Sequence, residues 1–192
     1  HEFKTPVAAI QLSGESISNP KNKNNKEKIL KYTSIIQHET SRIRKQVERI
    51  LQMSAFDTRE LELHFTKIQI DTLIQKAAAS ISMKVENRGG SIETDLKTNG
   101  ISIMADLDHM NNVIYNILDN AVKYTKHTPM IKISSSVIDN TIKIAFKDNG
   151  IGIRQQDQKR IFDKYFRVHT GNIHDIKGFG LGLGYVRSIV EL

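Results

Sequence analysis

The chain has 192 residues, 39% of them apolar and 26% charged, with 28 Lys and Arg against 21 Asp and Glu for a net charge of +7. This composition is that of one large or two small globular domains, and it excludes collagen-like, low-complexity and mostly disordered chains. The absence of cysteine removes disulfide scaffolds, thiolate metal sites and cysteine nucleophiles, and no apolar run nears the ~20 residues that cross a bilayer.

Residues 1–17 are predicted to be helical, with Phe3, Val7, Ile10 and Ile17 at helical spacing and a kink at Pro6. Charges interrupt any apolar core there, so this is no signal peptide. The turn formers of residues 18–25 break the pattern. A second helix is expected over 26–55, where Ile29, Ile36, Ile43 and Ile50 recur every seven residues, with Thr33, Thr40, Val47 and Ser54 four positions later. Such a seam suits a coiled coil or bundle, and a hairpin this short is expected to bury it by dimerising. Polar residues 57–62 read as a linker. Residues 63–70 alternate as a strand, Asp71 is expected to cap a helix, and Arg88-Gly89-Gly90 ends it. Residues 91–96 and 101–105 are predicted as strands of a hairpin turning at Asn99-Gly100. A helix over 108–125 follows, then a hairpin of 130–137 and 141–147 about Asp139-Asn140. The last helix runs from about Gly182 to the end. Helices on one face of a mixed sheet make this an α+β sandwich.

Three segments carry chemistry. Asp148-Asn149-Gly150-Ile151-Gly152-Ile153 stands at a strand end, and Gly178-Phe179-Gly180-Leu181-Gly182-Leu183-Gly184 opens the last helix. Glycines at alternate positions before a helix let backbone N–H groups approach an anion at the helix N-terminus. The third segment spans residues 116–125. In it Asn116, Asn120 and Lys123 fall at i, i+4 and i+7, on one helix face that suits Mg²⁺ and phosphate oxygens. The basic residues are scattered without interleaved aromatics, which points to phosphate or an acidic protein rather than nucleic acid. The spacing is neither that of a Rossmann fingerprint nor that of a P-loop.

Together these segments resemble the ATP-binding domain of bacterial sensor histidine kinases. Ile161-Phe162-Asp163-Lys164-Tyr165-Phe166-Arg167 is similar to that family's phenylalanine-rich box, and His1-Glu2-Phe3-Lys4-Thr5-Pro6 to its phosphoacceptor box. The resemblance implies a helical hairpin over 1–56, forming half of a dimeric four-helix bundle, a linker over 57–62, and an ATP-binding domain over 63–192. It implies that His1 takes a phosphoryl group from ATP through Nε2 and passes it to an aspartate of a response regulator receiver domain. Glu2 would accept or orient the proton on Nδ1, and Thr5 would position water for dephosphorylation of the regulator. Asn120 would ligate Mg²⁺ with support from Asn116, Lys123 would meet phosphate charge, and Tyr124 would lie against adenine or ribose. Asp148 would accept from the adenine amino group, which selects adenine over guanine, while Gly150 and Gly152 admit the base to the backbone. Gly178, Gly180, Leu181 and Gly182 would hold phosphates, and Arg167 would meet charge on the transferred group.

Several alternatives stay open. His38-Glu39 is a rival dyad, lacking the following Lys-Thr-Pro and with Arg42 in the place of Thr5, and His38 reads as a helix-surface or bundle residue. His64, His109, His127, His169 and His174 are expected at the surface. Same-fold ATPases hydrolyse ATP with a Glu where Asn116 stands, and an amide cannot deprotonate water. A nucleotide-gated scaffold remains a further reading. Residues 154–177 are expected to form a lid that orders with nucleotide. The family has helical turns before its phosphoacceptor and further strands after its glycine box. The chain is therefore expected to be a piece of a longer protein, the cytoplasmic portion of a membrane sensor that itself makes no membrane contact.

Overall fold

The computed structural model describes residues 3–57, 62–168 and 180–192. These fall into two compact units, the first holding residues 3–57 and the second the remainder.

The first unit is a helical hairpin of α1 (Lys4–Ser18) and α2 (Lys26–Asp57), joined through a 3-10 turn at Pro20–Asn22. Asn19 and Asn25 start the turn and the second helix, accepting from Lys21 N and Lys28 N at 3.0 Å each. Pro6 falls in the first turn of α1 and is buried, where its missing N–H has no intrahelical acceptor to lose. The expected kink therefore has no cause there. Pro6 and Ser13 are the buried residues of α1, while Phe3, Ile10 and Ile17 are half-buried beside them. That places the packed stripe at positions 3, 6, 10, 13 and 17, the alternating three-four spacing of a helix seam. On α2, Ile29, Ile36 and Ile43 are half-buried. Leu12, Leu30 and Val7 remain exposed within one copy.

The second unit contains β1 (Phe65–Gln69), α3 (Ile70–Glu86), β2 (Ser91–Leu96), β3 (Ser102–Asp106), α4 (Leu107–Lys123), β4 (Met130–Ile138), β5 (Thr141–Asp148), the short α5 (Gln155–Gln158) and α6 (Gly182–Val190). A three-stranded mixed sheet has the order β2-β4-β5, with β2 parallel and β5 antiparallel to β4. Two helices supply most of the core on one face. Ile70, Ile74, Ile81 and Val85 of α3 meet Ile114, Leu118 and Val122 of α4 over Ile131 and Ile133 of β4. Strand β5 alternates exposed residues with half-buried Ile142, Ile144 and Phe146, so its other face is open to water. Asp139 and Asn140, at φ 47° and 61°, make the β4–β5 turn, as a two-residue hairpin of right-handed twist requires.

Two expectations are corrected. Asn99 and Gly100 do form a tight turn, with φ 52° and 76° and Ile101 N bonded to Thr98 O at 3.0 Å. The strands it joins do not pair with each other: β2 pairs with β4, and β3 runs antiparallel to β1. Asp71 does not cap α3. Gln69 holds that position without a side-chain bond, and Asp71 sits in the first turn. Its carboxylate accepts from Ser135 Oγ at 2.8 Å and Thr98 N at 3.2 Å, and so ties the helix start to β4 and the Asn99-Gly100 turn. Among the described residues, no helix is long and apolar enough to cross a membrane.

Candidate functional site

Helix α4 is the spine of the site. Asp106 begins it, with Oδ1 accepting from Asp108 N and His109 N at 3.0 Å each and Oδ2 from His64 N at 2.8 Å. Burial pushes the Asp106 carboxyl upward, but the backbone N–H groups of His109, His64 and Asp108, with the charge of His109, hold it below its usual range. Val113, Ile114, Leu118, Ala121 and Val122 are buried. Asn116, Asn120 and Lys123 are half-buried on another flank of the same helix. From the α3 side, Lys84 pairs with Asp119 at 2.5 Å.

The end of α4 is joined to the end of β5. Tyr124 closes the helix and is half-buried, and its carbonyl accepts from Ile151 N at 3.0 Å. Asp148 Oδ1 accepts from Gly150 N at 2.8 Å. A side chain at position 150 would displace the Asp148 carboxylate, since a Cβ there would lie 2.6 Å from Asp148 Oδ1 and 3.1 Å from the Tyr124 carbonyl. Gly152 faces open space but holds φ +69°. Asn149 ties the loop to β4, accepting from Met130 N at 2.8 Å and donating to Thr128 O at 3.0 Å.

The start of α6 meets the middle of α4. A Cβ at Gly182 would lie 3.3 Å from Asn116 Oδ1, so glycine brings the first turn of α6 against the Asn116 carboxamide. Leu181 precedes that turn, is buried, and makes no side-chain cap bond. A helix N-terminus presents its first-turn N–H groups without intrahelical acceptors, the arrangement that suits an anion. The carbonyl of Gly180, a residue at φ +71°, accepts from Tyr165 N at 3.0 Å, and a Cβ on Gly180 would reach within 2.6 Å of Phe166 O. The aromatic segment is therefore seated directly on the glycine-rich one. The Arg160 guanidinium lies 4.3 Å from the Phe166 ring centroid.

Asn116, Asn120, Lys123, Tyr124, Asp148, Gly150, Gly152, Gly180, Leu181 and Gly182 thus belong to one cluster of segments around α4. Arg167 is exposed at the end of the aromatic segment, and Thr5 is exposed on α1 in the other unit. His1, Glu2 and Gly178 lie outside the described residues, as do residues 169–177 of the expected lid. His38 is exposed, with Nδ1 3.2 Å from Glu39 Oε1, and Glu39 also meets Arg42 at 3.3 Å. Contrary to the expectation of a surface residue, His109 is half-buried, with Nδ1 2.7 Å from the Tyr185 hydroxyl. That contact joins α4 to α6. The sequence carried no signal for it, since a single His and a single Tyr 76 residues apart make no motif. Arg88 was legible only as a helix ending, yet its guanidinium reaches three carbonyls at the end of α4.

Residues 1–59 match the family model described as His Kinase A (phospho-acceptor) domain, and residues 105–192 the one described as histidine kinase-, DNA gyrase B-, and HSP90-like ATPase. Sensor protein RprX of Bacteroides fragilis is 39% identical over the whole chain, which spans 37% of that protein's length. The structure of full-length ShkA in complex with AMPPNP superposes with a TM-score of 0.73 at 22% identity, over 97% of this chain and 41% of that one. ThkA in complex with the response regulator protein TrrA gives a TM-score of 0.62 at 22% identity, over 89% of this chain and 49% of that one. These two likenesses concern the fold. Two family models in series, a relative at 39% identity along the full chain and a shared fold converge: the chain belongs to the sensor histidine kinases and comprises their kinase core.

Proposed function

We propose that this kinase core binds Mg·ATP on the α4 flank, transfers the γ-phosphoryl group to His1, and passes it to an aspartate of a response regulator. The observation that carries the reading is the approach of Gly182 to Asn116, on a helix whose other end is bonded to the Asp148 loop. An uncapped helix N-terminus, two carboxamides and an ammonium then share one site. Such a donor set fits a polyphosphate with a hard cation. Asn120 and Asn116 would offer carboxamide oxygens to Mg²⁺, which when bound offsets phosphate charge. Among the described residues no group of three His, Asp or Glu is spaced to hold a metal.

Asp148, steadied through Gly150 N, accepts from the adenine amino group, and Tyr124 lies along the base or ribose. Lys123 and the N–H groups of Gly180, Leu181, Gly182 and Gly178 carry phosphate charge. Arg167 meets the charge that develops on the transferred group, because electrostatic stabilisation dominates phosphoryl transfer. Nε2 of His1 forms the N–P bond as the bond to the ADP oxygen breaks, and Glu2 takes the proton from Nδ1. The N–P bond then breaks as a receiver carboxylate forms an acyl phosphate. Thr5, exposed on α1 and four residues after His1 in the sequence, positions water for hydrolysis of the regulator's acyl phosphate.

In this reading residues 1–56 are the dimerising phosphotransfer hairpin, 57–62 a linker and 63–192 the nucleotide-binding domain, all in the cytoplasmic portion of a membrane sensor. The complex of ThkA with TrrA supports a receiver domain as partner. The test is acid-labile, alkali-stable label from γ-labelled ATP. Label is expected on the wild-type chain and absent from His1→Gln, whereas equal labelling of the variant overturns the assignment.

A further inference from the structure

Arg88 stands one residue past the cap of α3, and its backbone is fixed there by a tight turn. Arg88 N and Gly90 N both bond to Val85 O at 3.0 Å, and Gly89 holds φ +71°. Position 90 admits only glycine, because a Cβ would fall 2.2 Å from Pro129 O. From this anchor the guanidinium fork reaches Val122 O at 2.6 Å, Thr125 O at 2.7 Å and His127 O at 3.1 Å. Val122 O is among the carbonyls a helix end leaves without intrahelical donors, Thr125 and His127 lie past the cap Tyr124, and a cation there also suits the helix dipole. Between them sits Tyr124, whose own carbonyl accepts from Ile151 N. Arg88 thereby holds both sides of the peptide that aligns the Asp148 loop with α4.

We propose that Arg88 is a positioning residue for the nucleotide: its fork on Val122, Thr125 and His127 sets the Tyr124 carbonyl that fixes Ile151 and, through Gly150, the Asp148 carboxylate. The inference rests on the nucleotide reading above. Lysine does not replace the fork, because a single ammonium nitrogen lacks the rigid spacing by which Nη1 and Nη2 reach separate carbonyls. The Lys84–Asp119 pair joins the same two helices one turn earlier without touching this chain of bonds.

Calorimetric titration of the whole chain with Mg·ADP, and hydrogen exchange at the Ile151 amide without nucleotide, test it in Arg88→Gln, Arg88→Lys and Lys84→Ala. Arg88→Gln is expected to weaken Mg·ADP about tenfold, the scale of one well-placed hydrogen bond, and to raise Ile151 exchange by a similar factor at temperatures where the protein stays folded. Arg88→Lys retains the charge and should show the same direction in both readouts, which keeps the test informative if the glutamine variant fails to fold. Lys84→Ala should change either quantity less than about twofold, as an exposed ion pair contributes little. Unchanged Ile151 exchange in the Arg88 variants, full retention of affinity by Arg88→Lys, or an equal effect from Lys84→Ala would each overturn the proposal. Failure of the wild-type chain to bind Mg·ADP would instead overturn the nucleotide reading, with Ile151 exchange still deciding whether Arg88 holds the loop.

Discussion

Asp148 and Tyr185 are polar groups whose environments make opposite demands. Asp148 is exposed, with Oδ1 occupied by Gly150 N, which orients the carboxylate toward whatever the loop receives. Asp148→Ala is expected to weaken adenine nucleotides by about 10- to 100-fold, the worth of a hydrogen bond to a charged group. Titration with Mg·ATP and Mg·GTP measures it, and equal affinities for the two in the wild-type chain would remove the base-selecting role. Tyr185 is buried, and burial raises its hydroxyl to about 12, opposed by a hydrogen bond from Asn112 and reinforced by the charges of Asp106 and Asp108. An unfolded tyrosine titrates near ~10. The folded state thus keeps its proton where the unfolded chain has lost it, so the contribution is whole below ~10 and disappears as pH rises toward the folded value. Urea unfolding of wild type should show this loss between pH ~10 and about 12, and Tyr185→Phe should flatten it.

At the scale of elements, two glycines of similar φ have different reasons to exist. Gly152 is constrained by backbone conformation alone, at φ +69° with open space around it. Gly180 combines φ +71° with the Phe166 carbonyl 2.6 Å from where a Cβ would stand. Alanine at 152 should cost about 1 kcal/mol of strain. Alanine at 180 must also part the aromatic segment from the start of α6, so it should cost at least about 1–3 kcal/mol more, in the manner of overpacking. Urea midpoints of the two variants compare them, and equal destabilisation would show that the Gly180 contact yields without cost. The Asn99-Gly100 turn belongs to this scale as well. Its chemistry is that of a hairpin, but turn residues dictate the reversal of the chain and not which strand lies alongside afterward. Strand β2 instead finds β4 in parallel register, from Ser91 with Met130 to Leu96 with Ser135.

For the molecule as a whole, the hairpin unit carries apolar side chains that one copy leaves exposed, Leu30 at 61% and Leu12 at 62% among them. The proposed second copy would cover such residues, as a seven-residue seam favours. Leu30→Glu is expected to shift the chain from dimer toward monomer by at least about tenfold in dissociation constant, since burying an unpaired carboxylate costs well over 1.4 kcal/mol. Sedimentation equilibrium reads the shift. Mg·ADP affinity should stay unchanged, because every described residue of the proposed nucleotide site belongs to the second unit. An unaltered dimer would place the interface elsewhere.

The sequence by itself determined the local elements and the chemistry they display. The heptad isoleucines announce α2, Asp139-Asn140 announces its hairpin, and the i, i+4, i+7 spacing of Asn116, Asn120 and Lys123 announces a polar helix flank. Each depends on residues within a few turns of one another, so periodicity and turn preference suffice. Pairings between distant segments were decided only by the tertiary structure. Strand β3 joins β1 across the 32 residues 70–101, and Asp71 bonds to Ser135 instead of its own helix terminus. His109 finds Tyr185, and Arg88 finds the end of α4. A guanidinium or a carboxylate has many equivalent carbonyl and amide partners along a chain, and sequence does not rank them. Packing of α3 against α4 over the sheet brings one set within 3 Å, and the cost of leaving buried polar groups unpaired then fixes the choice.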